Sequence, residues 1–249
     1  MPELMDMPID DITIDAAVDR ITGDIKRGRG GTVLTPNIEI LRQYLSTPSL
    51  RTVFEHTDLR VADGMPIVVA LRLQRTPVPE RITGTDLLLA ICAASAHAGF
   101  SVMLAGGLPG EADRAADRLR EEFPALKTHT YPCFVQPDNE ATELAKLRSE
   151  VVAVAPNILF IGLPFRVQVS LMGELCYQLP ATWFVGVGST FDLVNGDRSR
   201  PPRWLQRLCL EWAWRLFEQP GMWRRYLVDG MPIAARLGFS ALRERWRRS

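Results

Sequence analysis

The residues equipped for chemistry fall where apolar runs stop at small or polar side chains. Thr35-Pro36-Asn37 follows the run Thr32–Leu34, and Asp63-Gly64 follows another short apolar run. Gly106-Gly107-Leu108-Pro109-Gly110 follows Ser101–Ala105, and Gly188-Ser189-Thr190 follows Trp183–Val187. Where a strand meets a tight glycine turn, α/β folds let backbone N–H groups approach a phosphate. A carboxylate at Asp63 and a hydroxyl at Thr35, set on neighbouring strand ends, would share one crevice. There the carboxylate can take a proton from an attacking hydroxyl. Asp63-Gly64 also reads as an ordinary Asp-Gly turn. The Gly106–Gly110 segment departs from GxGxxG and from the P-loop, and reads equally as a tight strand-to-helix turn. Arg81, in Glu80-Arg81-Ile82-Thr83-Gly84, is either a solvated surface arginine or a guanidinium held by a structured loop.

A second chemical signal lies at the carboxyl end. From Asp197 to Ser249 there are 12 Arg, no Lys and 5 acidic residues, so this segment carries +7 while residues 1–196 carry −7. Arginine without lysine suits planar, bidentate recognition of phosphate. Trp204, Trp212, Trp214 and Trp223 are interleaved with Arg215, Arg224 and Arg225. Such a mixture packs a helix onto a body, or suits the interface of an anionic bilayer. A zero net charge and an acidic body argue against nucleic acid as a partner.

Composition narrows the classes. With 249 residues, 47% hydrophobic and 23% charged, the chain suits one large α/β domain or a domain with an appendage. Cys92, Cys133, Cys176 and Cys209 form no CxxC pair, which points to neither a zinc site nor a disulfide framework, but to buried thiols. His56, His97 and His129 show no HExxH spacing, so no metal or cofactor is expected. The acidic start lacks the pattern of a signal peptide, and no apolar run approaches the roughly 20 residues of a span. A cytoplasmic protein, or one on the cytoplasmic face of a membrane, is expected.

The elements that must position these residues alternate. Residues 10–29 read as a short strand and an amphipathic helix. Strands are predicted at Thr32–Leu34, just before Asp63, and at Ser101–Ala105, Thr128–Tyr131, Ile158–Gly162 and Trp183–Val187. Helices are predicted at 38–46, 67–73, 87–98 (capped by Thr85 or Asp86), 111–122, 139–149 and 168–178. This rhythm gives a mostly parallel sheet with helices on both faces. Thr35, Asp63, Gly106, Gly162 and Gly188 then share its carboxyl rim, where ligands bind in such sheets.

Read together, these segments resemble the WecG/TagA/CpsF glycosyltransferases (glycosyltransferase family 26). The resemblance is carried by Thr35-Pro-Asn37, Ala62-Asp63-Gly64, Glu80-Arg81-Ile-Thr-Gly84-Thr-Asp86, Leu104-Ala-Gly-Gly107 with Pro109, and Gly186-Val-Gly188 with Phe191-Asp192. It continues through Gly196, Arg200-Pro-Pro-Arg-Trp204, Leu210-Glu-Trp212, Arg215-Leu216, Pro220 and Arg225-Tyr226-Leu227. It implies a Rossmann-like α/β core over residues 1–196, and a C-terminal helical, Arg/Trp-rich appendage over 197–249 that closes the site and contacts an anionic membrane. It implies inverting, metal-independent transfer of a sugar (N-acetylmannosamine, glucose or a relative) from a UDP-sugar to a polyprenyl-diphosphate-linked saccharide. By the same resemblance Asp63 is the general base, with Thr35 and Arg81 beside it. It also implies substrate contact by Gln168, Arg215 and Arg225 and a tendency to oligomerise; the strand-end positions add Asn37, Gly106, Gly107 and Gly188 as substrate-binding candidates, and Arg224 joins them beside Arg225. After the ILFIG strand the chain reads Leu163-Pro-Phe-Arg-Val-Gln168-Val, where the family carries a Gly-x-Pro-Lys-Gln-Glu pattern, so Arg166 would supply the replacement charge. Arg224 would likewise stand in for an arginine absent after Pro220. The rival reading is a catalytically degenerate UDP-sugar-binding or scaffold protein of the same pathway. A dinucleotide oxidoreductase ranks third, since no GxGxxG with a downstream acidic residue is present.

Overall fold

Successive side chains of a strand point to opposite faces, and this alternation builds two cores. The computed structural model describes residues 1–136, 138–197, 205, 214, 228 and 230–247. Its main sheet contains β3 (Gly31–Leu34), β4 (Leu59–Arg60), β5 (Ser101–Gly106), β6 (Lys127–Tyr131), β7 (Ile158–Gly162) and β8 (Trp183–Gly186), in the order β4-β3-β8-β7-β5-β6. All five pairings are parallel. Leu34, Met103, Ala105, Leu159, Ile161 and Phe184 face one core; Val33, Val102, Leu104, Ile158, Phe160, Trp183 and Val185 face the other. A sheet buried on both sides explains why β7 reads Ile-Leu-Phe-Ile-Gly without a polar residue.

Helices cover both faces. On the first lie α2 (Ile38–Ser46), α3 (Ser49–His56), α4 (Met65–Leu73), α7 (Glu140–Val154) and α8 (Phe165–Leu175). On the second lie α1 (Ile14–Lys26), α5 (Gly84–Ala98), α6 (Glu111–Glu122) and α9 (Thr190–Asn195). The expected Rossmann-like α/β sheet is therefore present, and it is entirely parallel. Part of the C-terminal appendage is also seen. Helix α10 (Met231–Arg247) packs on α4 and inserts Leu237 and Ala241 into the first core.

Several expectations need correction. No strand occupies residues 10–13. Instead β1 (Glu3–Leu4) and β2 (Met7–Pro8) form a hairpin, and Asp10 is committed to β4 by bonds from the Arg60 N–H (2.6 Å), Nε and Nη2. The cap of α5 is Thr83, not Thr85 or Asp86: its hydroxyl oxygen accepts the Asp86 N–H at 3.1 Å, so the helix starts at Gly84. Helix α8 begins at Phe165, three residues earlier than the predicted 168, and ends at Leu175. Pro164 precedes it, with a fixed φ suited to a helix entry. Of the cysteines, Cys92 and Cys133 are buried, Cys176 is half-buried, and Cys209 lies outside the described residues.

Candidate active site

The order β4-β3-β8-β7-β5 decides what meets at the carboxyl edge. From β3 the chain leaves to α2 on the first face, while from the neighbouring β8 it leaves to α9 on the second. From β7 it leaves to α8 on the first face, while from β5 it leaves to α6 on the second. Where adjacent strands send their chains to opposite faces a crevice opens. Such changes of face occur at β3/β8, β8/β7, β7/β5 and β5/β6, and the residues singled out in the sequence gather at a first crevice, β3/β8, and a second, β7/β5.

Thr35, at the end of β3, is buried, and its Oγ1 donates to the Gly186 carbonyl at the end of β8, 3.1 Å away. The bond stitches the strand ends on either side of the first crevice. Asp63 lies beside it because its N–H donates to the Pro36 carbonyl at 3.0 Å. Asn37 caps α2, its Oδ1 accepting from Glu39 N (3.0 Å) and Ile40 N (3.1 Å). A Cβ on Gly64 would stand 3.6 Å from the Asn37 Cβ, so the segments 35–37 and 63–64 are in contact. The Ile82 N–H donates to the Ala62 carbonyl at 2.9 Å, which lays the Arg81 loop alongside Asp63. Asp63 and Arg81 are both half-buried. Sequence segments separated by tens of residues thus converge: a carboxylate, a hydroxyl and a guanidinium-bearing loop at one end of the sheet.

Gln168 is buried on the same rim. Its Nε2 donates to the Leu163 carbonyl at 2.7 Å, and a Cβ on Gly186 would come within 2.2 Å of its Oε1. Gly186 must therefore be glycine for the glutamine to lie across the end of β8. Gly188 adopts φ +57, and a Cβ there would lie 3.9 Å from the Gln168 Nε2. Arg166, expected to supply a charge to the site, is instead held by Glu140, with Nη2 2.8 and 2.7 Å from the two carboxylate oxygens.

At the second crevice the glycine loop is largely satisfied from within. The Gly107 N–H donates to the Gly162 carbonyl at 2.9 Å, and the Leu108 N–H donates to Glu111 Oε2 at 2.8 Å. Gly106 and Gly107 adopt φ +102 and +83, and a Cβ on Gly106 would stand 2.8 Å from the Gly162 oxygen. The absence of a side chain lets β5 approach β7 at Gly106, and makes room for Glu111 and Phe191 at Gly107. Glu111 places a carboxylate at this turn that the sequence does not single out, because an acidic residue opening a helix reads as a complement to the helix dipole.

The Asp197 carboxylate accepts from Arg114 Nη2 at 2.9 Å, and this contact holds its pKa below the usual value. Arg215, Arg224 and Arg225 lie outside the described residues, as do Arg200 and Trp204. Among the described residues no three His, Cys, Asp or Glu side chains come together as metal ligands would, and no helix is long and apolar enough to cross a membrane.

Known proteins resemble the chain along most of its length. It is 25% identical over 203 residues to the N-acetylglucosaminyldiphosphoundecaprenol N-acetyl-beta-D-mannosaminyltransferase of Bacillus spizizenii (strain ATCC 23059 / NRRL B-14472 / W23), covering 82% of this chain and 77% of that one. The protein of the same name from Bacillus subtilis (strain 168) is 23% identical over 198 residues, covering 80% and 75%. The model of the glycosyl transferase WecG/TagA/CpsF family matches residues 2–249. With the parallel sheet and the rim on which Thr35, Asp63 and Arg81 converge, this match places the chain: it belongs to the WecG/TagA/CpsF family of glycosyl transferases.

Proposed function

We propose that the protein is an inverting glycosyltransferase that moves a sugar from a UDP-sugar to a polyprenyl-diphosphate-linked saccharide in cell-envelope polysaccharide synthesis. The observation that carries the reading is the convergence of Asp63 with Thr35-Pro36-Asn37 and the Arg81 loop at the β3/β8 crevice. The named relatives are N-acetylmannosaminyltransferases acting on a diphosphoundecaprenol-linked N-acetylglucosamine, which supports an acceptor of that class.

The step is a single displacement. The acceptor hydroxyl oxygen attacks the anomeric carbon, the bond from that carbon to the UDP oxygen breaks, and the acceptor proton passes to the Asp63 carboxylate. Negative charge grows on the departing diphosphate, and guanidinium groups are suited to stabilise it. Arg81 is the described residue that supplies one; Arg215, Arg224 and Arg225 of the appendage are proposed to supply others. Thr35 and Gln168 hold the ends of β3 and β8 under the reacting atoms, and Asn37 and Gly188 line the same crevice.

The appendage is proposed to bring the site to an anionic bilayer at the inner face of the membrane. Phe239 (73% exposed), Leu242 and Trp246 (82% exposed) share a stripe of α10 opposite the buried Leu237 and Ala241, flanked by Arg236, Arg243, Arg245 and Arg247. Exposed aromatics and arginines on one helix suit an acidic lipid surface.

The test is UDP release from a panel of UDP-sugars with a synthetic polyprenyl-diphosphate saccharide, with and without added divalent metal. Acceptor-dependent release that falls about 100- to 10,000-fold in Asp63→Asn is expected for loss of a general base. Equal turnover in Asp63→Asn would overturn the assignment, and release that requires the metal would overturn the metal-independent mechanism.

A further inference from the structure

At the second crevice two backbone N–H groups of the glycine turn already have partners within the protein. A phosphate at a glycine turn is held by free backbone N–H groups, yet those of Gly107 and Leu108 are taken by the Gly162 carbonyl and by Glu111 Oε2. The Glu111 carboxylate itself occupies the opening of the turn: a Cβ on Gly107 would stand 2.8 Å from its Oε2 and 3.3 Å from the ring of Phe191. Among the described residues Glu111 takes part in no ion pair; the nearby Arg114 directs Nη2 to Asp197. A carboxylate oxygen accepts two hydrogen bonds, and Oε1 has no partner among the described residues. Two adjacent hydroxyls can donate to such a group together.

Geometry says which hydroxyls. Three strand spacings separate β3 from β5, about 14 Å along the rim at ~4.8 Å each. With the transferred sugar at Asp63 and Thr35, an extended nucleoside diphosphate lying across β8 and β7 brings its ribose to β5. We infer that Glu111 binds the 2′- and 3′-hydroxyls of the donor's ribose, fixing the nucleotide with its diphosphate directed away from the β5–α6 turn. The inference rests on the donor being a nucleoside diphosphate sugar, as proposed above.

Calorimetric titration of the full chain with UDP and with 2′,3′-dideoxy-UDP tests it, because UDP contains the ribose and no hexose. Wild type is expected to bind UDP about 10- to 100-fold more tightly than the dideoxy compound, the range for hydrogen bonds to a charged group. Glu111→Gln, whose amide oxygen can keep the Leu108 bond, and Glu111→Ala are both expected to shrink that ratio to about threefold or less, with dideoxy-UDP bound at least as well as by wild type. A ratio unchanged in both variants overturns the inference while leaving the donor reading intact. So does an effect of the variants seen only with UDP-sugars, which would place Glu111 on the hexose. Absence of any UDP binding by the folded wild-type chain overturns the donor reading and this inference with it.

Discussion

Replacing Thr35 by valine keeps the branched shape at the end of β3 but removes the donor to the Gly186 carbonyl, whose residue is buried. A buried acceptor that loses its donor costs about 1–3 kcal/mol. Thr35→Val is therefore expected to lower the unfolding free energy read from a urea titration by that amount and to cut turnover, while Thr35→Ser keeps both near wild type; a valine variant as stable as wild type would show that this stitch carries no weight. A second residue-scale prediction concerns pH. Asp24 accepts from Arg27 Nη2 (2.9 Å) and Arg29 Nη2 (2.6 Å), and these hydrogen bonds, Arg27 first, hold its pKa below the usual value. A carboxylate with a depressed folded pKa stabilises above its unfolded value of about 3.9, and that contribution disappears as pH falls through the folded pKa. Chemical denaturation should show Asp24→Asn less stable than wild type at pH 7, with the gap closing as pH falls below the ordinary carboxylate value and through the depressed folded one. A gap that stays constant would assign Asp24 a packing role instead.

At the scale of elements, ends and edges are where the chain is tuned. Helix α7 stops at Ala155 with φ 43, a left-handed conformation that glycine adopts freely and alanine does not. Ala155→Gly should raise stability by about 0.5–1 kcal/mol in a urea titration. The free edge of β4 is covered by the N-terminal segment through Asp10, whose N–H donates to the Arg60 carbonyl at 2.9 Å and whose carboxylate pairs with the Arg60 guanidinium at 3.0 Å. The Arg60 side chain is only 10% exposed, so Asp10→Ala leaves a nearly buried charge short of its partner and should cost about 2–4 kcal/mol. Differential scanning calorimetry would read this as a lowered Tm. The same elements show what the sequence discloses. Ile158–Gly162 was legible to the residue because a strand buried on both faces is apolar throughout. Helix α3 was not, since Pro48 precedes it without a capping side chain and only Leu50 and Phe54 are buried. The β1–β2 hairpin was hidden because its turn is made by Met5 and Asp6 at φ 51 and 67, without the usual glycine or asparagine. At the rim, Thr35, Asp63 and Gly188 were readable as strand ends, whereas Glu111 and the buried setting of Gln168 required the packing of β5, β7 and β8.

At the scale of the whole molecule, a −7 core is joined to a +7 carboxyl-terminal segment, and α10 turns part of that asymmetry into a surface. Leu237 and Ala241 fix it to α4, and this attachment leaves Phe239, Leu242 and Trp246 outward with four arginines against a single glutamate. Apolar insertion and charge attraction to an acidic bilayer respond to different perturbations: salt screens the second and leaves the first. Flotation with vesicles of acidic phospholipid should therefore recover wild type at low salt, and less of it at 0.5 M salt. Paired Phe239→Ser and Trp246→Ser changes, at positions exposed in the folded chain, should weaken flotation about tenfold or more while leaving the Tm unchanged, since neither side chain packs in the core. If α10 serves the bilayer rather than the chemistry, the same pair should slow transfer to an acceptor embedded in vesicles and spare transfer to a short-chain, water-soluble acceptor. Equal slowing with both acceptors would place α10 in the reaction itself.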